Sequence, residues 1–265
     1  MPPRSGALHT VAFSAAVCVV CAVLVSTAAV SLRDRQAANV ELDRRRNVLV
    51  AAGTVRENER LPPDEVERLF ADFEVAVVDM RSGQEDPSFD AGGYDARRAQ
   101  GDPQSSRPVP RNDAQVSRIP HRLLVYKKRE ATGRLELLVL PVEGMGLWST
   151  MYGYLALGPD LSTVRGLTYY EHGETPGLGG EVDNARWKAL WPGRRVFDAQ
   201  GRAAIEVARG AAGPPDVEPH RVDGLSGATI TSRGVTAMLR FWLGDEGFGP
   251  YLERIGKDVA DGQAP

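Results

Sequence analysis

From residue 5 to residue 32 the chain carries no Asp, Glu, Lys or Arg. Its apolar run 11–32 spans about 33 Å as a helix, the thickness of a bilayer's hydrocarbon core. The pattern predicts one membrane crossing after a tail at 1–10. A cleavable leader is the alternative, but its apolar region is normally ~7–15 residues, so the run reads as a retained anchor. Residues 36–52 are helix-permissive, with Val40, Leu42, Val48, Leu49 and Val50 among charges and Gly53 as a stop. The stretch 33–60 therefore reads as a juxtamembrane stalk. Leu61-Pro62-Pro63-Asp64 opens a helix in which Val66, Leu69, Phe70 and Phe73 share the spacing of one buried face.

The pattern then changes to strands. Residues 75–80 form the first, and 123–126 with 135–142 form a hairpin around Glu130-Ala131-Thr132-Gly133. Residues 150–157 and 164–170 are two more, joined by a turn too short for a parallel crossover, which implies an antiparallel sheet. Between these strands, 81–118 is rich in Gly, Pro, Ser, Asp and Arg and has no period. It reads as a mobile surface excursion without site residues. Asp183 or Asn184 caps a short helix over 185–190, and 203–208 reads as an edge strand. Val235, Leu239 and Trp242 give the helix after Ser232 a buried face; Gly247, Gly249 and Pro250 break it, and 251–255 packs back as a last turn. The fold class expected is α+β, an antiparallel sheet with packed helices over 61–265, hung from one N-terminal transmembrane helix.

Composition narrows the function. With 265 residues, 42% of them hydrophobic, the chain can bury one core, and a net charge of −3 leaves no basic footprint for nucleic acid. Cys18 and Cys21 form a Cys-x-x-Cys inside the apolar helix, where packing is the favoured role. With no further cysteine, the soluble part has no disulfide or thiolate chemistry of its own. His172 and His220 complete neither a Ser-His-Asp order nor a paired metal-ligand spacing, so neither a catalytic nucleophile nor a metal site is expected.

Two loops carry candidate chemistry. Residues 223–232 are small and hydroxylated and run into an amphipathic helix, whose first N–H groups and dipole favour an anion. The GxxxxGK[ST] spacing of a nucleotide-hydrolase loop is absent, and a plain loop ending in a Thr231 or Ser232 cap is the bland alternative. Residues 171–180 hold four glycines and a proline, the composition of a tightly turning loop that can close over a flat ring.

Asp223-Gly224-Leu225-Ser226-Gly227-Ala228-Thr229 resembles the flavinylation motif at which a flavin transferase joins FMN, through its phosphate, to the last Thr. Residues 146–157 (Gly-Leu-Trp-Ser-Thr-Met-Tyr-Gly-Tyr-Leu-Ala-Leu), 167–182 and 241–251 are similar, in the same order, to the C subunit of the sodium-translocating NADH:quinone reductase. The resemblance implies a covalent FMN on Thr229, with Ser226, Gly227, Ala228 and Thr231 around its phosphate. It also implies ring contacts from Trp148, Glu174, Thr175, Leu178 and Gly179. Trp148 and Leu178 as ordinary core, and Glu174 as a solvated turn residue, remain open alternatives. Thr231 and Ser232 are placed to cap the helix and donate to the phosphate, and Asp223 to be read by the transferase.

The function implied is electron relay within a respiratory complex of the bacterial inner membrane, with the other subunits as partners. Two alternatives are the flavin subunit of the related ferredoxin:NAD-oxidising complex, which shares the Ser-Gly-Ala-Thr loop, and a tethered flavin-binding sensory module. Orientation divides the two lines of reasoning. Arg4 alone precedes the anchor while Arg33, Arg35, Arg44, Arg45 and Arg46 follow it, which by the positive-inside rule puts the domain in the cytoplasm. The resemblance implies the periplasm, and that is the expectation taken.

Overall fold

The computed structural model describes residues 4–260, so the ends of the expected tail (1–10) and domain (61–265) lie partly outside the described residues. The chain divides into two compact units, one up to Arg44 and one from Arg45 on. Helix α1 (Arg4–Ala51) contributes to both. Its segment Leu8–Arg33 is long and apolar enough to cross a membrane, with a mean hydropathy of 2.5. Cys18 and Cys21 are free and exposed on it, so the packing expected of them finds no partner among the described residues.

The stalk expected at 33–60 is shorter than its charges indicate. From Arg45 the chain belongs to the folded unit: Val48 and Leu49 are fully buried, and Arg46 donates to the carbonyls of Glu57 and, at 3.1 Å, Glu59. Val48 and Leu49 are core and not one face of a spacer, with Val50 half-buried beside them. Helix α2 (Pro63–Phe70) follows, with Asp64 and Glu65 in its first turn complementing the dipole. Phe73, placed on that helix by its spacing, instead opens β1 (Phe73–Asp79) and stacks on Phe70 with centroids 5.9 Å apart.

After β2 (Gln84–Glu85), the region 81–118 is more regular than its composition implies. It contains α3 (Ala96–Gly101) and the strand β3 (Ser106–Pro108), which pairs with β4 (Arg118–Pro120). Asp95 caps α3 by accepting from the N–H groups of Arg97 and Arg98, and Arg107 pairs with Glu246 at 2.6 Å. Caps and arginine contacts hold this region, and neither leaves a hydrophobic period to read.

Strands β5 (Arg122–Arg129), β6 (Leu135–Met145), β7 (Thr150–Leu157) and β8 (Val164–Glu171) complete a six-stranded sheet in the order β2-β1-β5-β6-β7-β8. Every neighbour is antiparallel, with Leu140 opposite Leu155 and Leu155 opposite Leu167. Asn184 caps the short α4 (Ala185–Lys188). Two-residue strands β9 (Glu206–Val207) and β10 (Arg221–Val222) pair in parallel in a separate sheet.

Helix α5 (Thr229–Leu243) lies on β6, burying Val235, Met238, Leu239 and Trp242, and α6 (Gly249–Ala260) adds Tyr251, Leu252 and Ile255 to the same core. A Cβ at Gly234 would fall 2.3 Å from the Met145 carbonyl oxygen, so only glycine lets helix and strand approach this closely. The Trp242 indole N–H donates to the Glu143 carbonyl at 2.7 Å and fixes the register. This helix also explains why 203–208 is not an edge of the main sheet. The Val207 N–H donates to the Thr236 hydroxyl at 2.9 Å, and the Ile205 carbonyl accepts from Arg240 at 3.1 Å, so those backbone groups serve α5. The architecture is α+β with an antiparallel sheet, as the pattern predicts.

One buried charge stands out. Lys127 in β5 is 1% exposed and meets Glu74 at 3.0 Å and Glu85 at 2.9 Å, while the Tyr251 hydroxyl donates to Glu85 at 2.8 Å. Glu74 and Glu85 retain 48% and 29% exposure. Lys127→Met therefore leaves two carboxylates that water can reach, and is expected to cost on the order of 1–3 kcal/mol. Replacing both carboxylates by Gln strands a buried ammonium and is expected to cost more, about 3–5 kcal/mol. Urea denaturation gives both values; a double variant more stable than Lys127→Met would contradict the account.

Candidate functional site

Three loops meet at one end of β6, β7 and α5, and a single carboxylate joins them. Glu174, in the loop after β8, is buried. Its Oε1 accepts from the N–H groups of Leu147 (3.0 Å), Trp148 (2.9 Å) and Ser149 (3.3 Å) in the β6–β7 loop, and its Oε2 accepts from the Thr231 hydroxyl (2.6 Å) in α5. A Cβ at Gly146 would lie 2.5 Å from Oε1, and one at Gly179 would lie 2.6 Å from Oε2. The two glycines are what allow the loops to close on the carboxylate. Burial by itself raises the pKa of Glu174, but the Thr231 hydroxyl and the backbone N–H donors outweigh it, and the group is held below the usual carboxylate range. His172 supports the same loop: its Nδ1 accepts from the Glu174 N–H at 3.2 Å, so the proton sits on Nε2, which donates to Asp183 at 2.7 Å.

Helix α5 begins three or four residues earlier than a Thr231 or Ser232 cap would place it. Thr229 is its first residue, Ala228 stands at the cap position, and no side chain caps the helix. The expected roles of Thr231 and Ser232 change accordingly. Thr231 is buried on Glu174, and the buried Ser232 hydroxyl accepts from the Leu225 N–H at 3.2 Å, so neither points outward. The outward anion donors are the unpaired N–H groups of the first turn. Thr229 stands exposed beside them, as do Ser226 and Gly227, whose φ of 70° turns the chain into the helix; Ala228 is buried.

The remaining site residues fall around this point. Trp148 is 66% exposed and Leu178 45%, so the ordinary-core alternative fails for both, and burial of Glu174 excludes a solvated turn residue. Thr175 is exposed, with its carbonyl accepting from the Leu178 and Gly180 N–H groups. Leu178 packs against Gly227, where a Cβ would come within 2.9 Å of its Cδ2. Asp223 is an internal anchor: its carboxylate accepts from the Ala212 N–H and its carbonyl from the Trp187 indole, each at 2.8 Å. The sequence reading missed Leu147 and Ile230, both exposed apolar residues beside the clasped ones. The signal was the inversion in Thr229-Ile230-Thr231-Ser232, where the hydroxyls at 231 and 232 turn inward and the isoleucine outward. A cavity of about 350 Å³ lies elsewhere, lined by Arg97, Gln100, Arg118, Glu143 and Tyr152 among others, and includes none of the expected site residues.

Residues 146–244, which span all three loops, match a family described as an FMN-binding domain. Fold and site thus define a flavin-mononucleotide-binding domain joined to an apolar helix. Over 98% of its length, and 100% of the relative's, the chain is 43% identical to the C subunit of the Na(+)-translocating NADH-quinone reductase of Pseudomonas aeruginosa. The corresponding protein of Yersinia pestis is also 43% identical, over 90% of this chain and 89% of its own. The crystal structure of Shewanella oneidensis NqrC superposes with a TM-score of 0.73 at 34% identity, covering 80% of this chain and 96% of that one. The chain belongs to the NqrC family, the C subunits of the Na(+)-translocating NADH-quinone reductase.

Ionised Glu174 has a pH signature. Its folded-state pKa lies below the unfolded value, ~4.3, so its stabilisation is present above that value and is lost as pH falls through the folded one. Thermal melts of the wild type and Glu174→Gln are expected to differ at pH 7 and converge toward pH 3. A gap that stays constant with pH would show that the carboxylate's charge contributes nothing.

Proposed function

We propose that this chain carries FMN as a phosphoester of Thr229 and relays electrons within the Na(+)-translocating NADH-quinone reductase, with the other subunits of that complex as its partners. One observation carries the attachment site: Thr229 presents an exposed hydroxyl at the uncapped start of α5, while Thr231 and Ser232 spend theirs inside. Ser226 is the other exposed hydroxyl of the loop, but it precedes the helix by three residues and lacks the adjoining first-turn N–H groups. The residues present fit the cofactor. The first-turn N–H groups and dipole of α5 would hold the phosphate, and the exposed faces of Trp148, Leu178, Leu147 and Ile230 would receive the ring, with Thr175 at its edge and Gly179 buried behind it against Glu174. When bound, FMN supplies the electron transfer, and the protein sets its position and electrostatics. The small Gly227 and Ala228 leave room for a flavin transferase to reach Thr229.

In this reading residues 11–32 anchor the chain in the bacterial inner membrane and the domain from Arg45 on lies in the periplasm. Flavin attachment outside the cytoplasm supports that side against the arginines that follow the anchor. A reporter active only in the periplasm, fused after the last residue, is expected to be active, and activity confined to a cytoplasmic reporter would reverse the orientation.

The attachment is tested by producing the full chain together with a flavin transferase. The wild type is expected to fluoresce in a denaturing gel and to gain the mass of one FMN less one water on the peptide containing Thr229. Thr229→Ala is expected to lose both and to melt within about 0.5 kcal/mol of the wild type, because an exposed hydroxyl adds little stability. Covalent flavin retained in Thr229→Ala would place the linkage elsewhere.

A further inference from the structure

Glu174 has the composition of a clasp. Its partners are hydrogen-bond donors and not cations: three consecutive backbone N–H groups from one loop and a buried hydroxyl from α5. Removing the loop or the helix would leave a carboxylate in the interior with donors missing, a costly state. The converse also holds. Leu147, Trp148 and Ser149 are held together by this carboxylate, with a further tie from the Gly173 N–H to the Ser149 hydroxyl at 2.6 Å. Thr231, two residues along α5 from Thr229, brings the helix start to the same pair of oxygens.

We propose that Glu174 is the positioning residue of the site and not a contact of the flavin ring: through Thr231 it sets where Thr229 is presented, and through the 147–149 amides it sets where Trp148 stands. This rests on the reading of Thr229 as the attachment point. Both oxygens of Glu174 are occupied by the loops, so the carboxylate acts on the cofactor site only through them. Thr231 is therefore as much a part of the device as Glu174, although its hydroxyl faces away from the site.

The full chain is tested with Thr231→Val, which removes the hydroxyl at nearly constant shape, and Thr231→Ser, which keeps it. Glu174→Ala is the stronger break, and the threonine pair decides the question if that variant does not fold. In the flavin-free protein, hydrogen–deuterium exchange at the amides of Leu147, Trp148 and Ser149 is expected to be slow in the wild type and in Thr231→Ser. It is expected to be faster in Thr231→Val, with β6 and β7 unchanged. Loading of FMN by the transferase, followed by intact mass, is expected to slow about tenfold in Thr231→Val, the effect of losing one hydrogen bond to a charged group, and to recover in Thr231→Ser. Wild-type exchange and wild-type loading in Thr231→Val would overturn the proposal. A wild type that accepts no flavin, while its 147–149 amides still depend on Thr231, would remove the reading of Thr229 and leave the clasp supported.

Discussion

The site exists because α5 is pressed onto β6. Val235, Met238, Leu239 and Trp242 bury that face, the Trp242 indole N–H holds the Glu143 carbonyl, and Gly234 admits the Met145 carbonyl where any side chain would collide. Four apolar side chains contribute roughly 1.5–3 kcal/mol each when fully buried, far more than any single polar contact at the site. That face determines where the helix begins, and the helix start is what meets the β6–β7 loop. Had the helix been free to slide by one turn, it would have moved its first residue by about 5 Å, and no carboxylate could have joined the loops.

Magnitudes also bear on the covalent link proposed for this location. A helix N-terminus stabilises a negative group by about 0.3–1 kcal/mol at an exposed position, less than a tenfold gain in affinity. Pockets that hold small ligands without a bond bury most of the ligand surface, whereas Trp148, Leu178, Leu147 and Ile230 are all surface residues. Such a site can orient a flavin but is too open to retain one by contact alone. The bond proposed at Thr229 would remove the need for enclosure and would leave the ring face open toward a partner.

Much of the fold was legible because its signals are local. The central strands, the α5 face and the long apolar N-terminal helix each follow from period and length. Legibility ended where order is supplied by particular side chains. Asp95 capping α3 and Arg107 reaching Glu246 leave no period, so 81–118 looked featureless. Phe73 kept helical spacing yet entered a strand, because its stack on Phe70 serves either geometry. At the site, motif similarity located the loops but misjudged the hydroxyls. Thr231 and Ser232 belong to the interior because Glu174 and the Leu225 amide, distant in sequence or in the preceding loop, meet them there.

The contrast among the four tryptophans has a practical consequence. Trp187, Trp191 and Trp242 are 6%, 0% and 2% exposed, whereas Trp148 is 66% exposed. An aqueous quencher therefore samples one indole and leaves three dark to it. The chain carries a native optical probe at the edge of its three-loop site, and changes there can be followed in light without labelling the protein.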